Sequence, residues 1–166
     1  MTQLTKGEKT KSEILEKANA FFNEQGADRT ISEIATSLGM GKSRITNYFP
    51  RKEFLILGLL RQHEEQLAVL VSKHLVYEKS YDFQNYIPFL SDVMELMFHY
   101  RGVIAHVMVN AGMYDEILQH IQLNYAQNKK RIRKRIENFE KNGLIKSNLL
   151  ETETFESYFF QYVCMS

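Results

Sequence analysis

The sequence predicts an all-α fold: an N-terminal three-helix unit built around a helix-turn-helix, followed by a longer antiparallel helical domain. Three observations predict it. Apolar residues recur at helical spacing along the chain, and no run alternates apolar and polar as a half-buried strand would. Only two Pro and eight Gly interrupt 166 residues. Residues 30–52, TISEIATSLGMGKSRITNYFPRK, read as two short helices joined by a tight turn.

Taken in order, residues 1 to about 9 are polar and aperiodic, and are expected to fray. Thr10 and Glu13 have capping-box spacing. Ile14, Leu15, Ala18, Phe21 and Phe22 then lie on one face of a helix that Gly26 ends. Thr30 and Glu33 repeat the capping spacing, and Ile31, Ile34, Ala35 and Leu38 make one apolar face. Gly39 supplies a left-handed stop. A second short helix over residues 42–49 turns Ile45 and Phe49 inward and Lys42, Ser43, Arg44, Thr46 and Asn47 elsewhere. A helix-turn-helix needs a small residue where its helices cross, a sharp bend and an aliphatic anchor. Ala35, Gly39 and Ile45 fill these roles. In such a motif the second helix enters the DNA major groove with its N-terminal residues at base edges. An ordinary αα-hairpin shares the same spacing.

Pro50 suits a helix start, and Glu53 suits the dipole of the first turn. That helix is expected to run to about Tyr77. Two more cover residues 82–99 and 103–110, with breaks near Arg101-Gly102 and at Ala111-Gly112. A long helix over residues 115–142 closes at Gly143, and another starts near Leu149 and continues to Met165.

What surrounds the motif adds to the spacing. The amphipathic helix before it, then Thr30, Ile34-Ala35, Leu38-Gly39, Tyr48-Phe49, Lys52-Glu53 and Leu55, resemble the TetR/AcrR family of bacterial transcriptional regulators. The resemblance covers roughly residues 10 to 60. It departs from the family pattern at Gly41, often a Ser cap, at Ser43-Arg44, commonly Gly-Thr, and at Thr46, commonly aromatic. Those positions face DNA in the family, so no operator sequence carries over.

The resemblance implies a DNA-binding domain over residues 1–50 and a ligand-binding and dimerisation domain over residues 51–166. Ser43, Arg44, Thr46 and Asn47 are expected at base edges or flanking phosphates, with Arg44 the best candidate for a bidentate contact to guanine. Lys42, Tyr48 and Lys52 are expected to hold phosphates, and Thr30 to cap its helix and touch the backbone. The implied partners are a double-stranded DNA operator, a small-molecule effector and a second copy of the chain. TetR-like regulators usually carry one more helix, so a chain ending inside the apolar pattern FFQYVCMS implies a shortened sequence. The alternative is a short form whose last helix serves alone.

A hydrophobic fraction of 44% and an aromatic fraction of 12% suit a packed core. One cysteine, Cys164, cannot form an internal disulfide and fits a reducing cytoplasm. The first twenty residues lack a signal-peptide pattern, and no apolar run reaches the roughly 18 residues that span a bilayer. With a net charge of +1, any DNA surface must be a local patch, drawn from Lys9, Lys11, Lys42, Arg44, Arg51 and Lys52. The run KKRIRKR at residues 129–135 resembles a second patch, but Ile132 and Ile136 continue an apolar stripe through it. It therefore reads as the solvated face of an amphipathic helix.

Large soft side chains fill the second half: Phe83, Tyr86, Phe89, Met94, Met97, Phe98, Tyr100, Met108, Met113, Tyr114 and Phe139. They pack a core, or line an effector cavity between helices. Phe98, His99, His106, Asn110 and Tyr114 are the candidates for touching the effector. The five His form no close helical pair and no Cys joins them, so no metal site is expected. No catalytic constellation or phosphate-cradling loop stands out, and no cofactor is expected. An enzyme is thus disfavoured. The competing reading is a helical scaffold that binds a protein partner and uses the hairpin structurally.

Overall fold

A computed structural model describes residues 5–75, 83–143, 145 and 147–165; the side chains of 75, 83–86, 135, 147 and 161–165 lie outside the description. The described residues form α-helices, short 3-10 turns and loops, with no strand among them. The helices are α1 (Lys6–Gln25), α2 (Ile31–Ser37), α3 (Lys42–Thr46), α4 (Lys52–Leu75), α5 (Phe83–His99), α6 (Arg101–Asn110), α7 (Asp115–Lys141) and α8 (Thr152–Met165).

The chain divides into two compact units, one ending at Ile117 and the other starting at Leu118. No compact boundary falls at residue 50. The reason is α1, which packs on α2 and on both α4 and α6, so the first three helices share their core with α4 and α6. That core holds Ile14, Leu15, Ala18 and Phe22 of α1, Ile34 and Ala35 of α2, Ile45 of α3, Leu55, Ile56 and Leu59 of α4, and Val103 of α6, all at most 4% exposed. In the second unit Ile132 and Ile136 of α7 bury against Phe155 and Phe159 of α8.

Several helix limits differ from the sequence expectation for identifiable reasons. α1 starts at Lys6, because Thr5 and Glu8 make the capping box. Thr10 sits mid-helix and donates its hydroxyl to the Lys6 carbonyl at 3.0 Å. α3 stops at Thr46, three residues early, where Tyr48 N–H bonds back to the Ile45 carbonyl in a tighter turn. The break between α5 and α6 falls at Tyr100, and Arg101 and Gly102 already belong to α6. α8 begins at Thr152 after a 3-10 turn at Ser147–Leu150. The expected extension of α4 to Tyr77, the start at Asp82 and the side chains of Phe83 and Tyr86 lie outside the described residues.

α1 and α6 cross closely at His99–Gly102. Asn19 and Asn23 of α1 both donate to the His99 carbonyl, at 2.9 and 2.7 Å. Asn23 Oδ1 accepts from Gly102 N–H at 2.9 Å. Gly102 is required there, since a Cβ would fall 2.2 Å from the Phe22 carbonyl oxygen.

Candidate nucleic-acid interface

α2 is built as a support. Thr30 Oγ1 accepts from Glu33 N–H at 3.3 Å, and a Glu33 carboxylate oxygen accepts from Thr30 N–H and Oγ1–H at 2.7 Å each. This reciprocal box satisfies the free amides of the first turn. At the other end Gly39 takes φ +63°. Met40 N–H reaches the Ala35 carbonyl at 2.9 Å and Gly39 N–H the Thr36 carbonyl at 3.1 Å, a pairing that needs the left-handed residue between them. Ala35, 1% exposed, lets the two helices cross closely.

α3 is a support's opposite, held by one anchor and open elsewhere. Ile45 is fully buried and Phe49, just past the helix, is 3% exposed. Lys42, Ser43, Arg44 and Asn47 are exposed, Thr46 is half-buried, and Tyr48 is 37% exposed. A five-residue helix has little stability of its own, so its direction is set by that anchor.

The α2–α3 hairpin is thus a short cationic helix presented by a doubly capped neighbour. Residues 14–59 match the model of the tetR family of bacterial regulatory proteins. The match takes in α2, α3, most of α1 and the start of α4. No curated protein and no solved structure matches the chain. The tetR family is one of DNA-binding regulators, and the match covers the segment that carries the exposed cations.

Three of the cations expected in the DNA patch, Arg44, Arg51 and Lys52, are engaged by the protein itself. Arg44 Nη2 donates to Glu13 of α1 at 2.8 Å, and Lys17 holds the same carboxylate at 3.1 Å. Arg51 pairs with Glu53 and with Glu116, at 2.7 and 2.6 Å. Lys52 does not present its charge outward as expected of a phosphate contact. Its ammonium donates to the Ala27 carbonyl at 3.1 Å and sits 5.9 Å over the Tyr114 ring, tying the α1–α2 loop to α4. Thr30 likewise has its hydroxyl committed in both directions to Glu33.

The five expected effector contacts do not converge. Phe98, 66% exposed, and His99 lie on the outside of α5, where they line a shallow open depression with Asn23, Met94, Glu95 and Arg101. His106, Asn110 and Tyr114 gather elsewhere. His106 is 6% exposed, and its Nδ1 lies 3.1 Å from Asp28 Oδ1. Asn110 donates to the His106 carbonyl at 3.1 Å, and the Tyr114 ring lies 6.0 Å from the imidazole. The pinning of the His99 carbonyl to α1 forces the chain to turn at Tyr100, and this separates the two groups. Met94, Met108 and Met113 are at least 70% exposed, so these soft side chains line no enclosed cavity among the described residues.

Sequence reasoning missed the Asn19–Asn23 clamp and the Asp28–His106 contact. One signal was there to read: Asn19 follows Leu15 and precedes Phe22 on the apolar face of α1, and a polar residue at a core position must find a partner there.

Burial around His106 lowers its affinity for a proton, the nearby Lys52 charge adds to this, and Asp28 opposes it. Burial also lowers that of His63. In both cases the folded chain resists protonation more than the unfolded one. Their contribution to stability is complete above the unfolded value of about 6.5 and is lost as pH falls below it. Thermal unfolding of the chain should therefore show a Tm that falls between pH 7 and 5.5, and His106→Gln should flatten that dependence. An equally steep fall in the variant would remove His106 from the account.

Proposed function

We propose that the chain is a sequence-specific regulator of transcription, a repressor that binds a palindromic operator as a homodimer and leaves it when a small apolar or amphipathic effector binds. The observation that carries this reading is the disposition of α3: Ile45 wholly inside, Lys42, Ser43, Arg44 and Asn47 outside. A solvated bundle helix would also turn polar side chains outward; the match to the tetR model over these same residues is what favours a DNA-reading role. α3 enters the major groove. Ser43, Arg44, Thr46 and Asn47 face base edges, while Lys42 and Tyr48 hold phosphates.

The effector half of the proposal draws support from the α1–α6 clamp and the exposed apolar lining of the nearby depression. A ligand that favours one placement of α5 and α6 biases α1, and with it α3. Equal affinity for both placements would shift nothing.

Arg44→Ala is the direct test. It should lower discrimination between the operator and an unrelated duplex by about 1–3 kcal/mol, measured by fluorescence anisotropy at fixed salt. Because the guanidinium must leave Glu13 to reach a base, Glu13→Gln should move affinity the other way. Unchanged discrimination in Arg44→Ala excludes the guanine contact. The absence of any salt-sensitive, sequence-selective complex with the intact chain would favour a protein-binding scaffold instead.

A further inference from the structure

The run at residues 129–135 is not used by the reading above, and the second unit gives it a defined geometry. Ile132 and Ile136 bury against Phe155 and Phe159, which fixes the rotation of α7 about its axis. Two of the cations are then engaged inside the unit. Lys129 pairs with Glu156 at 2.6 Å, and Arg133 lies 3.6 Å from Glu137 and 5.2 Å over the Phe155 ring. Lys130, Arg131 and Lys134 occupy the face directly opposite the isoleucines, and Lys141 continues it two turns on. All four are exposed. Gln127 and Asn138 share that face, and Glu137 at its edge is engaged by Arg133 at 3.6 Å. From Lys130 to Lys141 the ridge extends about 16 Å at 1.5 Å per residue. Lys130 and Lys134, four residues apart, are like charges that disfavour a helix slightly.

We propose that this ridge is an anion-binding surface that fits the phosphate backbone of double-stranded DNA, separate from α3. A lipid surface is disfavoured by the same packing. A membrane-surface helix inserts the apolar face beside its cations, and here that face is covered by α8. Mixed Lys and Arg suit phosphates, which are contacted by charge and carry no sequence requirement. The ridge would bind whether or not α3 binds DNA.

The test uses the full chain and a 20-base-pair duplex of unrelated sequence, titrated from 50 to 200 mM salt. Lys130→Gln, Arg131→Gln and Lys134→Gln combined should reduce the slope of log affinity against log salt by about three, near 0.9 for each phosphate no longer neutralised. The same reduction should appear in a background carrying Lys42→Gln and Arg44→Gln, which isolates the ridge from α3. An unchanged slope overturns the proposal. So does a weakening confined to phosphatidylserine vesicles or to poly-glutamate, which would make the partner a membrane or an acidic protein. Should the triple variant fold poorly by circular dichroism, the wild-type chain decides. The duplex should slow acetylation of Lys130 and Lys134, read by mass spectrometry, and equal rates with and without DNA overturn the proposal.

Discussion

Gly102→Ala should destabilise the first unit by about 3 kcal/mol or more, at the upper end of overpacking costs. The added methyl would sit 2.2 Å from the Phe22 carbonyl oxygen, 2.4 Å from its carbon and 2.7 Å from Asn23 N. All three are backbone atoms, so no side-chain rotation makes room. α6 must lift from α1, and in doing so it stretches the Gly102 N–H bond to Asn23 and the two amide bonds to the His99 carbonyl. Gly58→Ala is the internal comparison. Its methyl would press on Leu15 Cδ2 at 2.9 Å and Phe49 Cε1 at 3.0 Å, which are side-chain atoms that can shift. Differential scanning calorimetry should show the larger loss for Gly102→Ala, a fall in Tm of roughly 6–12 °C for a chain of this size. A loss no greater than that of Gly58→Ala would mean that the two helices do not meet at Gly102.

Ile45→Ala should cost about 2–5 kcal/mol, as for a wholly enclosed aliphatic side chain. The effect on DNA binding should be larger than the effect on stability suggests. α3 has five residues and one buried side chain within it, so the direction of Lys42, Arg44 and Asn47 rests on Ile45 and on Phe49 just beyond. The variant should lose operator binding at temperatures where circular dichroism still shows a folded chain. Arg44→Ala should do the reverse, keeping Tm while losing discrimination. An Ile45→Ala variant with wild-type Tm would contradict the placement of that side chain in the core.

The parts of this fold that a sequence displays are those governed by neighbours three or four residues apart. Thr30 with Glu33, Ala35, Gly39 and Ile45 are all of this kind, and each stands where its spacing placed it. The same logic went astray at Thr10 and Glu13, because Thr5 and Glu8 offer an identical box five residues earlier and the helix extends to use it. What stayed hidden depends on partners far along the chain. Asn23 meets His99 and Gly102, His106 meets Asp28, and Arg44 meets Glu13. Spacing cannot say which distant helix a polar side chain will find. Residue type likewise grouped Phe98 and His99 with His106, but the turn at Tyr100 leaves the first two exposed on α5 and His106 buried.

The sharing of α1 between its neighbours constrains how this protein could be taken apart. A fragment cut after residue 50 would expose Phe22, Asn19 and Asn23 to solvent along one whole side. Anyone grafting this helix-turn-helix onto another domain would have to carry the α5–α6 corner with it, since the natural seam of the molecule falls beyond Ile117.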